Sequence, residues 1–400
     1  MQELLRRYIE YARKVIKEIS VPRMVGTRGE KEVAQVLERI LTDAGISYRV
    51  EEFSGGTFHM RVLNRLFFPL IGCIMISIFF LNLYGFWIEA FILAIIGMCI
   101  SLQLHNLIPW VLARTRNVGK VLKSKNFTFQ TPIVESQSTS GIQKDVYFIA
   151  HWDSKSERLP IWCLFLITIT GEYLNLLYCI HYILGTLIGF LIAPPNPWVF
   201  LWGAIVGVFS LSQLFNSMGN ESPGALDDAS GVGLCIALET YFQAFPPPCN
   251  VRVTFVLTGM EEFGDRGARA FLEKHRNEFS KDHTHFIVLD TIGDGNTVYH
   301  NKHGLFPVKE FDAEISLAIK NIIKDAPDRF SHIKHLYLPP SPVITDHLPF
   351  HQAGFKTLII ESSTFKTHSS RDVVEAIDPD QLRECMDLLI CLVTFLGTNV

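Results

Sequence analysis

The chain has 400 residues, enough for two average domains or for one domain with large insertions. With 48% hydrophobic against 19% charged residues and a mean hydropathy of +0.23, it is too apolar to be soluble throughout, and part of it belongs in lipid. A formal net charge of -4 without a basic stripe argues against a nucleic-acid partner, and eight scattered cysteines with no C-x-x-C argue against a disulfide framework or a cysteine zinc site.

Residues 1–19 place Leu4, Leu5, Tyr8, Ile9, Ala12, Val15, Ile16 and Ile19 at helical spacing, with Arg6, Arg7, Arg13, Lys14 and Lys17 elsewhere on the helix. No continuous apolar core marks this stretch as a signal peptide, and packing on its own domain is favoured over lying on a membrane surface. A second helix over 30–44 is ended by Gly45, and 47–53 reads as a strand. From Leu66 to Leu112 two apolar runs meet near Tyr84-Gly85 with Glu89 as the only charge. Each run is close to the ~20 residues that cross a bilayer, so the pair predicts a transmembrane hairpin. Residues 120–143 return to soluble composition, and Val146 to Ala150 forms a short apolar strand that delivers His151-Trp152-Asp153-Ser154.

A second apolar block, 161–215, is broken at Ala193-Pro194-Pro195-Asn196-Pro197. Its first part is about 30 residues, either one long tilted helix or an interfacial piece followed by a crossing. Strands on both sides belong to one sheet, so the crossings are even in number, giving about four transmembrane helices in all. Glu172 and His181 lie inside this block, where ionisable residues serve either function or helix packing. Arg61, Arg65, Arg114, Arg116, Lys120, Lys155 and Arg158 flank the soluble side while the two turns carry no base. The positive-inside rule therefore places the catalytic domain in the cytoplasm. The expected organisation is one domain in three pieces, 1–60, 118–160 and 218–400, interrupted by hairpins at 61–117 and 161–217.

After the second hairpin come Gly224-Ala225-Leu226-Asp227-Asp228-Ala229-Ser230-Gly231, an amphipathic helix to about Phe245, and the apolar strand 251–257 running into Gly259-Met260-Glu261-Glu262-Phe263-Gly264. A helix over 268–279 and the strand 286–289 ending on Asp290 follow. Thr345-Asp346-His347-Leu348-Pro349-Phe350 then precedes the strand 357–360, and Thr367-His368-Ser369-Ser370-Arg371-Asp372 leads into a last helix from Pro379.

His151, Glu261-Glu262 and Asp290 each stand at the carboxyl end of an apolar strand, and Asp227 and His368 stand in adjoining loops. Parallel strands gather those ends along one edge of an α/β sheet, where ligands bind. Two histidines, two aspartates and a glutamate form an N/O set suited to zinc, with donors for two ions if one carboxylate bridges. Glu261 would then be the base that takes a proton from the attacking water.

The order H-x-D-S, G-A-x-D-D-A-S-G, E-E-x-G-x-x-G, apolar strand plus D-T, D-H-x-P-F and H-x-x-x-D resembles the co-catalytic zinc aminopeptidases of metallopeptidase family 28, a superfamily that also holds glutamate carboxypeptidases and glutaminyl cyclases. The resemblance implies a mixed, mostly parallel α/β sheet flanked by helices, and a peptidase acting at the amino terminus of short peptides. It implies one zinc on Asp227, Glu262 and His368 and a second on His151, Asp227 and Asp290, a cis peptide between Asp227 and Asp228, and Glu261 as general base. Asp153 matches the carboxylate behind His151, Asp372 is expected to act likewise near His368, and Asp346 is expected near the substrate. Thr367 stands where some relatives place an oxyanion-stabilising tyrosine, so that role has no candidate here. Rival expectations are a glutaminyl-cyclase-like acyl transfer and a catalytically silent membrane scaffold.

Overall fold

The computed structural model describes residues 2–132, 144–191, 196–300, 302–303, 308–310, 312–335 and 345–398. Its centre is an eight-stranded sheet with the spatial order Tyr48–Gly56, Val121–Gln130, Val251–Thr258, Lys144–His151, Thr284–Asp290, Lys356–Ser362, Thr297–His300 and Ile333–His335. The four strands in the middle are mutually parallel, while pairing toward both edges includes antiparallel neighbours. The architecture is a mixed, mostly parallel sheet flanked by helices, the fold class that the sequence predicts. The central strands are nearly continuous apolar runs because helices cover both of their faces.

On one face, Gln2–Ile19, Ser230–Ala244 and Pro379–Thr398 share the main core with the sheet. On the other, Phe271 of the helix Arg266–His275 and Phe350 of the helix His347–Gln352 pack on Tyr147, Val256 and Phe286. The amino-terminal helix thus buries Leu5, Ile9, Ala12, Ile16 and Ile19 on its own domain. The helix Ser230–Ala244 departs from its expected amphipathic character. Lying between two helices and the sheet, it buries residues all round its circumference. The strand Val121–Gln130 is hidden in the sequence because Lys123, Lys125 and Gln130 dilute its apolar alternation.

Among the described residues, four helices are long and apolar enough to cross a membrane: His59–Leu83, Trp87–Leu104, Ile161–Gly189 and Pro197–Phe215. The long third one is a single run, with a π-type turn at Thr170–Leu174 that carries Glu172. Part of the Pro-rich break between the third and fourth, residues 192–195, lies outside the described residues. Small residues set the spacing of the bundle. A Cβ on Gly72 would lie 2.4 Å from the Gly207 carbonyl oxygen, and one on Gly207 would lie 2.6 Å from that of Gly72. Polar side chains face inward: Asn175 Nδ2 donates to Ser101 Oγ at 2.8 Å and to the Gly97 carbonyl at 3.1 Å, and Trp202 Nε1 donates to His181 Nδ1 at 3.4 Å. Glu172 is fully buried and neither of its carboxylate oxygens has a hydrogen-bond partner among the described residues.

Two clamps join these parts to the strand ends. Arg23, fully buried, donates from Nε to the Trp152 carbonyl at 2.5 Å, from Nη1 to the Pro223 carbonyl at 2.5 Å and from Nη2 to the Gly224 carbonyl at 2.8 Å. It ties the segment after His151 to the segment before Asp227 across the second insertion. Arg266 Nη1 donates to the Leu112 carbonyl at 2.9 Å, and a Cβ on Gly264 would lie 2.4 Å from Leu112 Cδ2. The end of the first hairpin therefore rests on the loop that follows Glu261-Glu262.

Gly207→Leu is expected to force the first and fourth apolar helices apart at a cost of roughly 1–3 kcal/mol, read as a lower thermal midpoint of the detergent-solubilised chain. Arg23→Met leaves three shielded carbonyls without their charged donor, and the expected loss is about 3 kcal/mol or more, measured by chemical denaturation. An unchanged midpoint in either variant would contradict the packing described.

Candidate metal centre

The register of the parallel strands brings the site together. His151 is paired with Thr258, the residue that leads into Gly259-Met260-Glu261-Glu262, and Asp290 is paired with Glu361 on the other side. Extended strands hand over to tight turns here, and left-handed backbone conformations collect around them: Met260, Thr291 and His368 have φ of 60°, 54° and 57°. Such conformations are disfavoured for residues with a Cβ and persist where the surroundings fix them, commonly at functional sites. The peptide bond between Asp227 and Asp228 is cis.

Asp227 stands at the middle of the cluster. Its Oδ1 lies 2.9 Å from His151 Nε2 and its Oδ2 lies 2.9 Å from His368 Nε2. Asp290 Oδ1 approaches His151 Nε2 to 3.9 Å, and Glu262 Oε1 approaches His368 Nε2 to 3.5 Å. Two triads result, His151–Asp227–Asp290 and Asp227–Glu262–His368, each with one donor atom per residue and all three atoms within 4.8 Å of one another. All five side chains predicted as ligands meet, and Asp227 belongs to both triads. Glu261 Oε2 lies 3.9 Å from His151 Nε2, and Glu261 lines the same cavity without belonging to either triad.

The surrounding groups fall into two kinds. Asp228 is held by backbone donors: its Oδ2 accepts from the His151 N–H at 3.1 Å, and its Oδ1 from the N–H groups of Gly231 at 2.9 Å and Thr291 at 3.3 Å. Asp153 accepts from the N–H groups of Glu261 at 3.0 Å and Glu262 at 3.3 Å, and its carboxylate lies 3.6 Å from His151 Nδ1. Asp153 thus fixes the paired glutamates through its carboxylate and the imidazole through its carbonyl oxygen, which lies 3.2 Å from His151 Nδ1. Asp372 does not reach the His368 ring. Its Oδ1 accepts from the Leu226 N–H at 2.5 Å and its Oδ2 from Ser222 Oγ at 3.4 Å, so it holds the backbone that leads into Asp227. Asp346 accepts from Thr258 Oγ1, is 1% exposed and is absent from the cavity wall, which places it behind the strand end rather than beside a substrate.

Sequence reasoning missed Lys155 and Arg23. Lys155 enters the sequence argument only as a flanking base, yet its Nζ lies 2.8 Å from Glu262 Oε2 and 3.7 Å from Glu157 Oε1 within the cavity. The H-x-D-S-K order already put it four residues past His151, but nothing in the pattern says that the chain turns it back toward Glu262.

Electrostatics follow from this crowding. Burial raises the Glu261 carboxyl well above the ordinary range; His151 opposes the rise, and Glu262, Asp346 and Asp265 add to it. Asp290 is raised by burial and by Asp227, with His151 opposing. Glu262 goes the other way: burial would raise it, but Lys155 and His368 draw it below its ordinary value. Burial alone would lower His368, yet Glu262 and Asp227 push it up to about 10. Glu262 Oε1 and His368 Nδ1 are shielded from solvent without a hydrogen-bond partner among the described residues. An N/O donor set with surplus negative charge and unpaired acceptor atoms fits a divalent cation such as zinc.

A family model, Peptidase family M28, matches residues 210–393. No curated protein sequence matches the chain. Among solved structures, the fold is similar to a glutaminyl cyclase from Macrostomum lignano (TM-score 0.54, 12% identity, covering 99% of this chain and 92% of that one). It is also similar to an aminopeptidase from Aneurinibacillus sp. strain AM-1 (TM-score 0.53, 13% identity, 98% and 95% covered) and to a zinc aminopeptidase from Bacillus subtilis (TM-score 0.51, 13% identity, 96% and 94% covered). At such identities the likeness speaks for the fold alone. The match to peptidase family M28 spans residues 210–393, which hold Asp227, Glu262, Asp290 and His368 of the five clustered side chains.

Proposed function

We propose that the protein is a membrane-embedded metallopeptidase with two zinc ions, an aminopeptidase that hydrolyses the first peptide bond of short peptides. The observation that carries this reading is Asp227 shared between two complete triads, with Glu261 beside them and outside both. His151, Asp227 and Asp290 would hold one ion, and Asp227, Glu262 and His368 the other. Zinc at these positions supplies a Lewis acid for the carbonyl and lowers the pKa of water.

The chain's own residues then have separate tasks. Glu261, whose carboxyl is raised by burial, takes one proton from the attacking water and passes it to the amide nitrogen as the carbon–nitrogen bond breaks and a carbon–oxygen bond forms. Asp153 keeps the backbone of Glu261 and Glu262 in place and faces the His151 ring. Lys155 holds the second oxygen of Glu262, leaving Oε1 directed at the triad. The two apolar hairpins set the body against a bilayer, with Arg61, Arg65, Arg114 and Arg158 at the ends nearest the soluble domain, which supports a cytoplasmic catalytic face.

The protein purified in detergent is expected to contain close to two zinc ions per chain and to release the first residue from amino-acid anilides and dipeptides, with activity lost to a chelator and restored by zinc. Glu261→Gln should lower kcat by roughly 10²–10⁴ while zinc content stays the same. Retention of full activity in this variant would refute the assignment of the base. Cyclisation of peptides with an amino-terminal glutamine, without hydrolysis, would instead establish the acyl transfer of a glutaminyl cyclase. A chain that binds no zinc would be a scaffold.

A further inference from the structure

The cavity over the two triads has a volume of about 440 Å³, and its walls are of two chemistries. The floor is the cluster of carboxylates and imidazoles together with Lys155. The opposite wall is apolar and comes from the first hairpin: Leu63, Phe67 and Phe68 at the start of its first helix, and Leu107, Ile108 and Val111 near the end of its second. Leu63, Phe67 and Phe68 belong to a segment long and apolar enough to lie in lipid, and Leu107, Ile108 and Val111 continue the helix of the next such segment past its end at Leu104.

The depth of this wall is marked on the surface. Trp110, next to Val111, is 53% exposed, and Trp162, next to the cavity residue Ile161, is 49% exposed. Tryptophans collect at the level of lipid headgroups, with basic residues on the watery side, and Arg114 stacks over the Trp110 ring with its guanidinium carbon 4.0 Å from the ring centroid. On the loop that carries His368, Phe365 is 56% exposed and meets Phe165 of the third apolar helix edge-on. A bilayer placed by these residues would leave the reacting groups just outside the hydrocarbon, with the apolar wall leading from them toward it.

We infer, on the strength of the hydrolase reading above, that the substrates are lipidic amides resident in the bilayer, with a scissile amide at the triads and one alkyl or acyl chain lying along Leu63, Phe67, Leu107, Ile108 and Val111. Hydrolysis of such an amide balances as for a peptide. The elements of water add across the carbon–nitrogen bond, giving a carboxylic acid and an amine, one of which keeps the chain and stays in the membrane. The wall adds apolar contact in proportion to chain length, so length becomes the specificity variable.

The test uses the full chain in phospholipid vesicles with two series of probes: leucine N-alkylamides with butyl, octyl and dodecyl chains, and N-acyl leucines with butanoyl, octanoyl and dodecanoyl chains. In one of the series kcat/KM is expected to rise on the order of tenfold or more from the shortest chain to the longest, and the series that responds tells which side of the amide faces the wall. Val111→Trp should move the preference to the octyl or octanoyl probe, and the nearly isosteric Val111→Thr should reduce the ratio of longest to shortest. Leucine anilide is the control. Its turnover with no dependence on chain length in either series overturns the inference and leaves the hydrolase intact. No turnover of any probe, the anilide included, overturns the hydrolase reading and the inference with it.

Discussion

The structure is governed by the confinement of negative charge. Asp153, Asp227, Asp228, Glu261, Glu262 and Asp290 are all buried at one end of one sheet, where water answers them poorly. The fold answers some of them itself. Asp153 and Asp228 are met by backbone N–H groups, Asp372 by the Leu226 N–H, and one oxygen of Glu262 by Lys155. Among the described residues, Asp227, Glu262 and Asp290 receive no backbone donor to their carboxylates. The triad carboxylates are thus all left without a backbone donor, and Glu261, which stands outside both triads, shares that condition and faces the same cavity.

That division was only partly legible in the sequence. The apolar strands before His151, Glu261 and Asp290 announce where the site edge lies, because a strand buried on both faces reads as an unbroken hydrophobic run. The five clustered side chains could be listed from those ends and the neighbouring loops. What a carboxylate touches could not. Asp372 follows His368 by four residues, a spacing that suggests a partner for the imidazole, but the loop turns it toward Leu226 on the far side of Asp227. Asp346 stands in a polar motif yet is sealed against Thr258. Arg23 and Lys155 escaped notice for the same reason: a lone base in sequence carries no sign of the carbonyls or carboxylates that the fold will place around it. The strand Val121–Gln130 was obscured by lysines, and the π-type turn at Glu172 leaves no mark in composition.

The apolar excursions bear directly on the site. The first hairpin returns at Leu112, whose carbonyl takes a hydrogen bond from Arg266 and whose side chain fills the space above Gly264. Glu261 and Glu262 lie in the same turn of chain, so the position of the hairpin and that of the paired glutamates are mechanically joined. Close contact between Gly72 and Gly207 joins the first hairpin in turn to the second, whose ends lead from His151 and into Asp227. Both insertions are thus fastened to the parts of the loop system that carry chemistry.

The order of strands has a further effect on how the molecule comes into being. Val251–Thr258 lies between Val121–Gln130 and Lys144–His151, two strands that leave the ribosome well before it. Those earlier strands cannot complete the sheet by pairing with each other; the gap between them waits for a segment translated after both greasy hairpins have emerged. The catalytic edge of the sheet therefore cannot be complete until Val251–Thr258 has been made.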